Sequence, residues 1–273
     1  MPAATFGIGY DASFLGVEVP HPGAGQLAAD LVTGPDGPVL TYTHFSLVLS
    51  RSRRLTRWVA WNIDGETLLE DDTVPRDGVD FRADPRIPAE TQTLDDVYRD
   101  NPLDRGHIAR RRDLLWGELP EAERANEESF TYTNICPQMQ DFNQSMRRGL
   151  WGLLEDAVLA EVRLEPRRVS VYGGPVLLPD DPAYRGTQVP REYWKVLAYR
   201  MQGTLRARAF LLTQTLDDLE RAGPLDEFRT YAVPLDDLVE RTGLTFPAVL
   251  GSAAPEARAA PPRLLGGLGD IDW

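Results

Sequence analysis

A chain of 273 residues, 42% hydrophobic and 26% charged, carries enough apolar material for a sizeable core, as one large domain or two small ones. No apolar run approaches the length of a membrane-crossing helix, and a net charge of −13 argues against a protein that coats nucleic acid through overall charge. A lone cysteine, Cys136, excludes an internal disulfide and fits a reducing compartment. The opening residues, MPAATFGIGYDASF, lack the basic and apolar segments of a secretion signal. The expected location is therefore cytoplasmic, with a non-classical secretion route left open and no membrane partner.

In chain order, residues 1–40 are rich in Gly and Pro and are expected to form an irregular arm. Two strand-like runs follow, Thr43–Ser50 and Leu55–Ile63, joined by the polar SRSRR into a β-hairpin. Asp64–Arg99 is a long polar segment with several prolines and little periodicity. Gly106–Arg111 is expected as a short strand, Glu118–Glu128 as an acidic helix or loop, and Phe130–Ile135 as a strand. A turn ending in Pro137-Gln138 leads to a helix with Asp141 as its N-cap and apolar positions Leu150, Trp151, Leu154, Val158 and Leu159. Strands at Arg168–Tyr172, Tyr193–Arg200 and Arg206–Thr213 precede a last helix near Leu235–Thr242. The expectation is one α+β domain over residues 41–250, with a mixed or antiparallel central sheet, and a loosely ordered tail over 251–273.

Only one lysine, Lys195, stands among 29 basic residues. Arg105, Arg110, Arg111, Arg112, Arg147 and Arg148 cluster around the segment Asp104–Glu155, which predicts a local basic groove on an acidic body. Three histidines and one cysteine make a four-ligand zinc site a poor fit. No G-x-S-x-G elbow, P-loop or dinucleotide fingerprint occurs. His21 is expected as a solvated loop residue and His44 as a hydrogen-bonded sheet residue. His107 is the one histidine set among polar and flexible neighbours, and Cys136 is expected in the core rather than as a nucleophile. A strand–strand–helix order would place His107 opposite the first helical turn carrying Asn143.

DRGH (104–107), TYTNICPQ (131–138), FNQ (142–144) and W-x-x-L-E (151–155) strongly resemble the DNA/RNA non-specific endonucleases, a group of ββα-metal (His-Me finger) nucleases. The likeness extends to HFSLVLS, WVAWNIDG, DPRIP, VSVYGGPV and YWKV, covering residues 40–246 approximately. The resemblance implies a Mg²⁺-dependent hydrolase of both DNA and RNA that leaves 5′-phosphate ends, with Mn²⁺ as a substitute ion. In it His107 would be the general base and Asn143 the direct metal ligand. Glu155 would hold the metal through a water, and Arg105 would stabilise charge on the phosphate. Arg110, Arg147 and Arg148 are candidate phosphate contacts. Relatives bring a homodimer and an inhibitor protein into view as partners. The alternative is a catalytically weak or inactive member that binds nucleic acid or a partner protein through the same groove.

The twelve residues from Asn143 to Glu155 exceed the spacing of compact members by the stretch Ser145–Arg148. Four extra helical residues would move the glutamate about 6 Å along the axis and turn it by about 40°. Either Gly149 marks a bulge that absorbs them, or another carboxylate such as Asp141 takes the position. A second phosphate-binding arginine upstream has three candidates, Arg76, Arg82 and Arg86.

Overall fold

The computed structural model describes residues 7–144, 150–164, 167–214, 216, 229–254 and 262–265. Its strands are β1 (Leu40–Tyr42), β2 (Phe45–Leu49), β3 (Thr56–Asp64), β4 (Leu103–His107), β5 (Ile135–Met139), β6 (Arg168–Val176), β7 (Ala183–Tyr184), β8 (Thr187–Gln188), β9 (Glu192–Met201), β10 (Thr204–Thr213), β11 (Arg229–Ala232) and β12 (Arg263–Leu264). The helices are α1 (Leu119–Ser129), α2 (Gln140–Asn143), α3 (Leu150–Leu164), α4 (Leu235–Thr242) and α5 (Ala248–Ala253). Eight strands form one sheet in the order β1-β2-β3-β6-β9-β10-β11-β12, every neighbouring pair antiparallel. The fold is α+β, as expected.

Both faces of this sheet are buried, so its strands read as nearly continuous apolar runs rather than as clean alternation. In β3, Val59, Trp61 and Ile63 enter one core while Trp58 and Ala60 enter the other. The first core is closed by α3, whose Trp151, Leu154, Val158 and Val162 recur at helical spacing. The second is closed by Phe14, Leu15 and Val19 from the start of the described chain, with Leu235, Leu238 and Leu250 from α4 and α5. The predicted hairpin is present, with Phe45 opposite Trp61. Gln202 and Gly203 both take positive φ (50° and 80°), which suits the tight turn between β9 and β10.

β4 and β5 form a separate two-stranded ribbon on the α3 side, and both are displaced from their predicted positions. The strand expected over Gly106–Arg111 ends at His107, and Arg111–Leu114 is a turn of 3-10 helix. The strand expected over Phe130–Ile135 begins only at Ile135 and contains Pro137 and Gln138, where the sequence predicts a turn. Proline is tolerated because β5 pairs on one side only, with β4. Its free edge is tied to the main sheet by Tyr193 Oη, which donates to the Pro137 carbonyl at 2.6 Å. Gln214 helps too, its Oε1 accepting from the Met139 amide at 2.8 Å. The single helix expected after Asp141 is two helices. Asp141 lies inside α2, whose N-cap position is Met139.

Candidate active site

β4 carries Arg105 and His107 two residues apart, so both side chains leave the ribbon on one face. They line an open cleft of about 770 Å³. Asn143 at the end of α2, Glu155 on α3, and Arg76 and Phe81 from the long loop before β4 complete it. Asp141 is not among its lining residues. Glu155 lines the cleft despite the twelve-residue spacing, and α2 is closed by Gln144, whose backbone is extended, so α2 does not run on as one helix toward Glu155. Arg147 and Arg148 lie outside the described residues.

The His107 ring sits against Phe81 and meets the edge of Phe130 with centroids 5.0 Å apart. Its Nε2 is buried without a hydrogen-bond partner. Burial, together with the positive charges of Arg76, Arg111 and Arg110, lowers its pKa from 6.5 to about 3. The imidazole is therefore neutral at physiological pH, the form in which it can accept a proton.

Asn143 is oriented by Asp104. Its Nδ2 donates to Asp104 Oδ2 at 3.0 Å, and Gln144 Nε2 donates to the same oxygen at 2.7 Å. With the amide nitrogen committed, Oδ1 is the atom left for another partner. Asn143 is the last residue of α2. Among the described residues no group of three His, Cys, Asp or Glu could hold a metal. An ion at Asn143 would have one direct protein oxygen and complete its shell with water, which suits Mg²⁺.

Glu155 is 5% exposed and held from two sides. Lys195 Nζ donates to its Oε1 at 3.0 Å, while Arg110 Nε lies 3.5 Å from Oε2. Arg110 also donates to Asp156 at 2.7 Å. Asp113 is buried beside this group, accepting from Trp61 Nε1 at 3.1 Å. Burial and the charge of Glu155 raise the Asp113 pKa to about 6.

The expected basic groove is corrected by the pairing. Five arginines line the cleft, but so do five carboxylates: Asp71, Asp72, Asp77, Asp104 and Glu155. Arg105 gives Nε and Nη2 to Asp95, which also accepts from Tyr132. Its ion-pair partner is therefore Asp95, ten residues upstream, rather than the adjacent Asp104. Arg111 spans Asn126, Asp71 and the Val74 carbonyl and pins the acidic loop to α1. Of the three upstream candidates, Arg86 is locked onto Asp84, and Arg76 alone lines the cleft. Arg76 lies over the Phe130 ring and forms no ion pair with a described residue.

The other histidines serve structure. His44 lies in the turn between β1 and β2, not in a strand. Its Nδ1 donates to the Leu114 carbonyl at 2.9 Å, and its ring stacks on Trp116. His21 is exposed and stacks on Trp58. Cys136 is fully buried, and burial raises its thiol pKa well above the ordinary value.

The family model for DNA/RNA non-specific endonuclease matches residues 23–252. The chain belongs to that family. This endonuclease-family chain is 36% identical over 287 aligned positions to an uncharacterized protein of Sinorhizobium fredii, covering 96% of this chain and 42% of that protein. It is 28% identical over 210 positions to human mitochondrial endonuclease G, covering 72% of this chain and 65% of the relative. Nuclease C1 of Cunninghamella echinulata is 27% identical over 215 positions, covering 74% and 80%. The chain thus spans less than two thirds of the length of the first two relatives. EndoG in the EndoG/EndoGI complex superposes with a TM-score of 0.60 at 23% identity, covering 76% of this chain and 84% of that one. The family member described here shares that fold. No helix among its described residues is long and apolar enough to cross a membrane.

Three residues that shape the site have no role predictable from the sequence pattern: Asp104, Asp95 and Lys195. Asp104 stood within DRGH, and Lys195 was marked by being the sole lysine. Asp95 carried no signal at all.

Proposed function

We propose that the chain is a Mg²⁺-dependent endonuclease that hydrolyses phosphodiester bonds in DNA and RNA and leaves 5′-phosphate ends, with Mn²⁺ able to substitute. The observation that carries this reading is Asp104 holding the Asn143 amide nitrogen, which leaves Oδ1 for a cation in the cleft that His107 also lines. Asn143 would touch the ion directly, and Glu155 would reach it through a water. The bound ion would supply positive charge to offset that developing on the phosphate and leaving oxygen.

His107 takes the proton of the attacking water. A base with a pKa near 3 is weak, and three arginines help hold it there. An entering phosphate backbone faces those same arginines, offsets their charge and lifts the imidazole toward a useful basicity. Arg76, which forms no ion pair with a described residue, is the readiest phosphate contact. Arg105 and Arg110 present charge from fixed positions, steered by Asp95 and by Glu155 with Asp156. Contacts confined to phosphate and sugar carry no direct sequence information, which fits a non-specific enzyme. A homodimer and an inhibitor protein are the protein partners considered with this reading, and the cytoplasm is the compartment.

The test is a nicking assay on plasmid and a parallel assay on RNA, with EDTA, Mg²⁺ or Mn²⁺, using wild type and His107→Ala. Cleavage should need metal and should vanish in the variant. Because a general base contributes roughly 10²–10⁴-fold, retention of more than about a tenth of the activity would remove His107 as the base. Tight binding of nucleic acid without metal-dependent cleavage would instead favour the inactive, binding-only alternative.

A further inference from the structure

We propose that Lys195 is a positioning residue for the reaction, its buried ammonium aiming Glu155 by holding Oε1, so that Oε2, the oxygen that the cleft-lining Arg110 approaches at 3.5 Å, is the one turned to the cleft. The inference rests on the reading above, in which Glu155 serves the metal. Lys195 is the one lysine among 29 basic residues, and it is only 1% exposed. β9 brings it to the sheet face covered by α3, where Nζ meets Glu155 Oε1 at 3.0 Å. Its charge lies 4.0 Å from the centroid of Trp151 and 5.4 Å from that of Trp61.

A merely structural role explains this poorly. Burying two charges costs more than an apolar pair of similar volume, so such a pair is weak evidence for stability. This pair differs from an inert one in where it opens: Glu155 lines the cleft, while Lys195 closes the space behind it. Lysine also suits the slot better than arginine. A slim stem with a point charge fits between two indoles and needs few acceptors, whereas a planar fork would bring several donors to a place where Glu155 Oε1 is the one acceptor Lys195 uses among the described residues. Arg110, the other cation on Glu155, is shared with Asp156 and cannot fix the carboxylate alone.

The experiment compares Lys195→Met, Glu155→Gln and the double variant in the full chain. It reads kcat and KM on plasmid with Mg²⁺, Mn²⁺ binding by electron paramagnetic resonance without substrate, and circular dichroism for the fold. A folded Lys195→Met protein should lose about 10–100-fold in kcat and bind Mn²⁺ more weakly, with little change in KM. The double variant should be no worse than Glu155→Gln. Lys195→Gln, which keeps a donor in the slot but not the charge, serves if the methionine variant does not fold, and should lose less than methionine would but still more than about threefold in kcat. A folded Lys195 variant with kcat within about threefold of wild type and unchanged Mn²⁺ affinity, or losses that multiply in the double variant, would overturn the inference. If Glu155→Gln itself keeps full activity, the reading of Glu155 fails, and the inference with it. If Glu155→Gln is impaired and the Lys195 variant is not, only the inference fails.

Discussion

Asp104 Oδ2 accepts a hydrogen bond from Asn143 Nδ2 at 3.0 Å, fixing which end of that amide is left for the cleft. In Asp104→Ala, Asn143 and Gln144 would both lose their anchor. The metal concentration needed for half-maximal activity should rise by about 10–100-fold, the usual cost of losing a residue that orients a ligand. Asp104→Asn, which can still accept through its carbonyl, should lose less. A metal titration of the two variants checks this, and equal behaviour of alanine and wild type would refute it.

The low pKa of His107 sets the acid side of the rate profile. Buried and faced by arginines, the free imidazole stays neutral well below 6.5 and protonates only near 3. kcat/KM should therefore show no His107 ionisation between pH 8 and 6. Substrate phosphate raises the group, so the acid limb of kcat should lie at higher pH than that of kcat/KM. Stability follows the same linkage: between 6.5 and 3 the unfolded chain binds a proton that the folded His107 does not. Wild type should lose stability relative to His107→Gln as pH falls through that window, and no difference should develop above it. Denaturant midpoints at several pH values read this out.

Gly106 is where the ribbon is tightest. A Cβ there would come within 2.0 Å of Gln138 Oε1 and 2.8 Å of its Cγ. Gln138 is fully buried and cannot swing into solvent. Gly106→Ala should cost about 1–3 kcal/mol, as overpacking does, and should lower activity by disturbing the strand between Arg105 and His107. Urea unfolding would contradict this if the variant stayed within about 0.5 kcal/mol of wild type.

Asp72 and Asp77 line the cleft as exposed charges that oppose an incoming polyanion. Replacing both with Asn should lower KM several-fold and steepen its salt dependence, while kcat changes little, since exposed rim charges act on encounter. Steady-state kinetics at low and moderate salt test it. An unchanged KM at low salt would show that the acidic loop does not face the substrate path.

Much of this was legible in the chain because local pattern encodes it. The hairpin of β2 and β3 follows from two apolar runs and a polar turn. His107, Asn143 and Glu155 were singled out within one short segment, and the fold brings all three to one cleft. The errors came where distant residues decide. Pro137 signals a turn, yet it sits in a strand, because Tyr193 satisfies its carbonyl and nothing needs its missing N–H. The cluster from Arg105 to Arg112 promises a basic groove only while its partners are unknown. Asp95, Asp71 and Asp156 pair with Arg105, Arg111 and Arg110 from 10, 40 and 46 positions away. Charge along the chain is local, whereas charge in the cleft is decided by packing.

The solitary lysine also makes the molecule its own gauge of opening. An amine-directed acylating reagent has no other side chain to attack, and in the folded protein this one is sealed beneath the helix α3. Its labelling rate would therefore count how often the layer between helix and sheet parts, in the way that amide exchange counts local openings. Such a clock needs no engineered probe. It would also report on the part of the fold that sits directly behind the cleft.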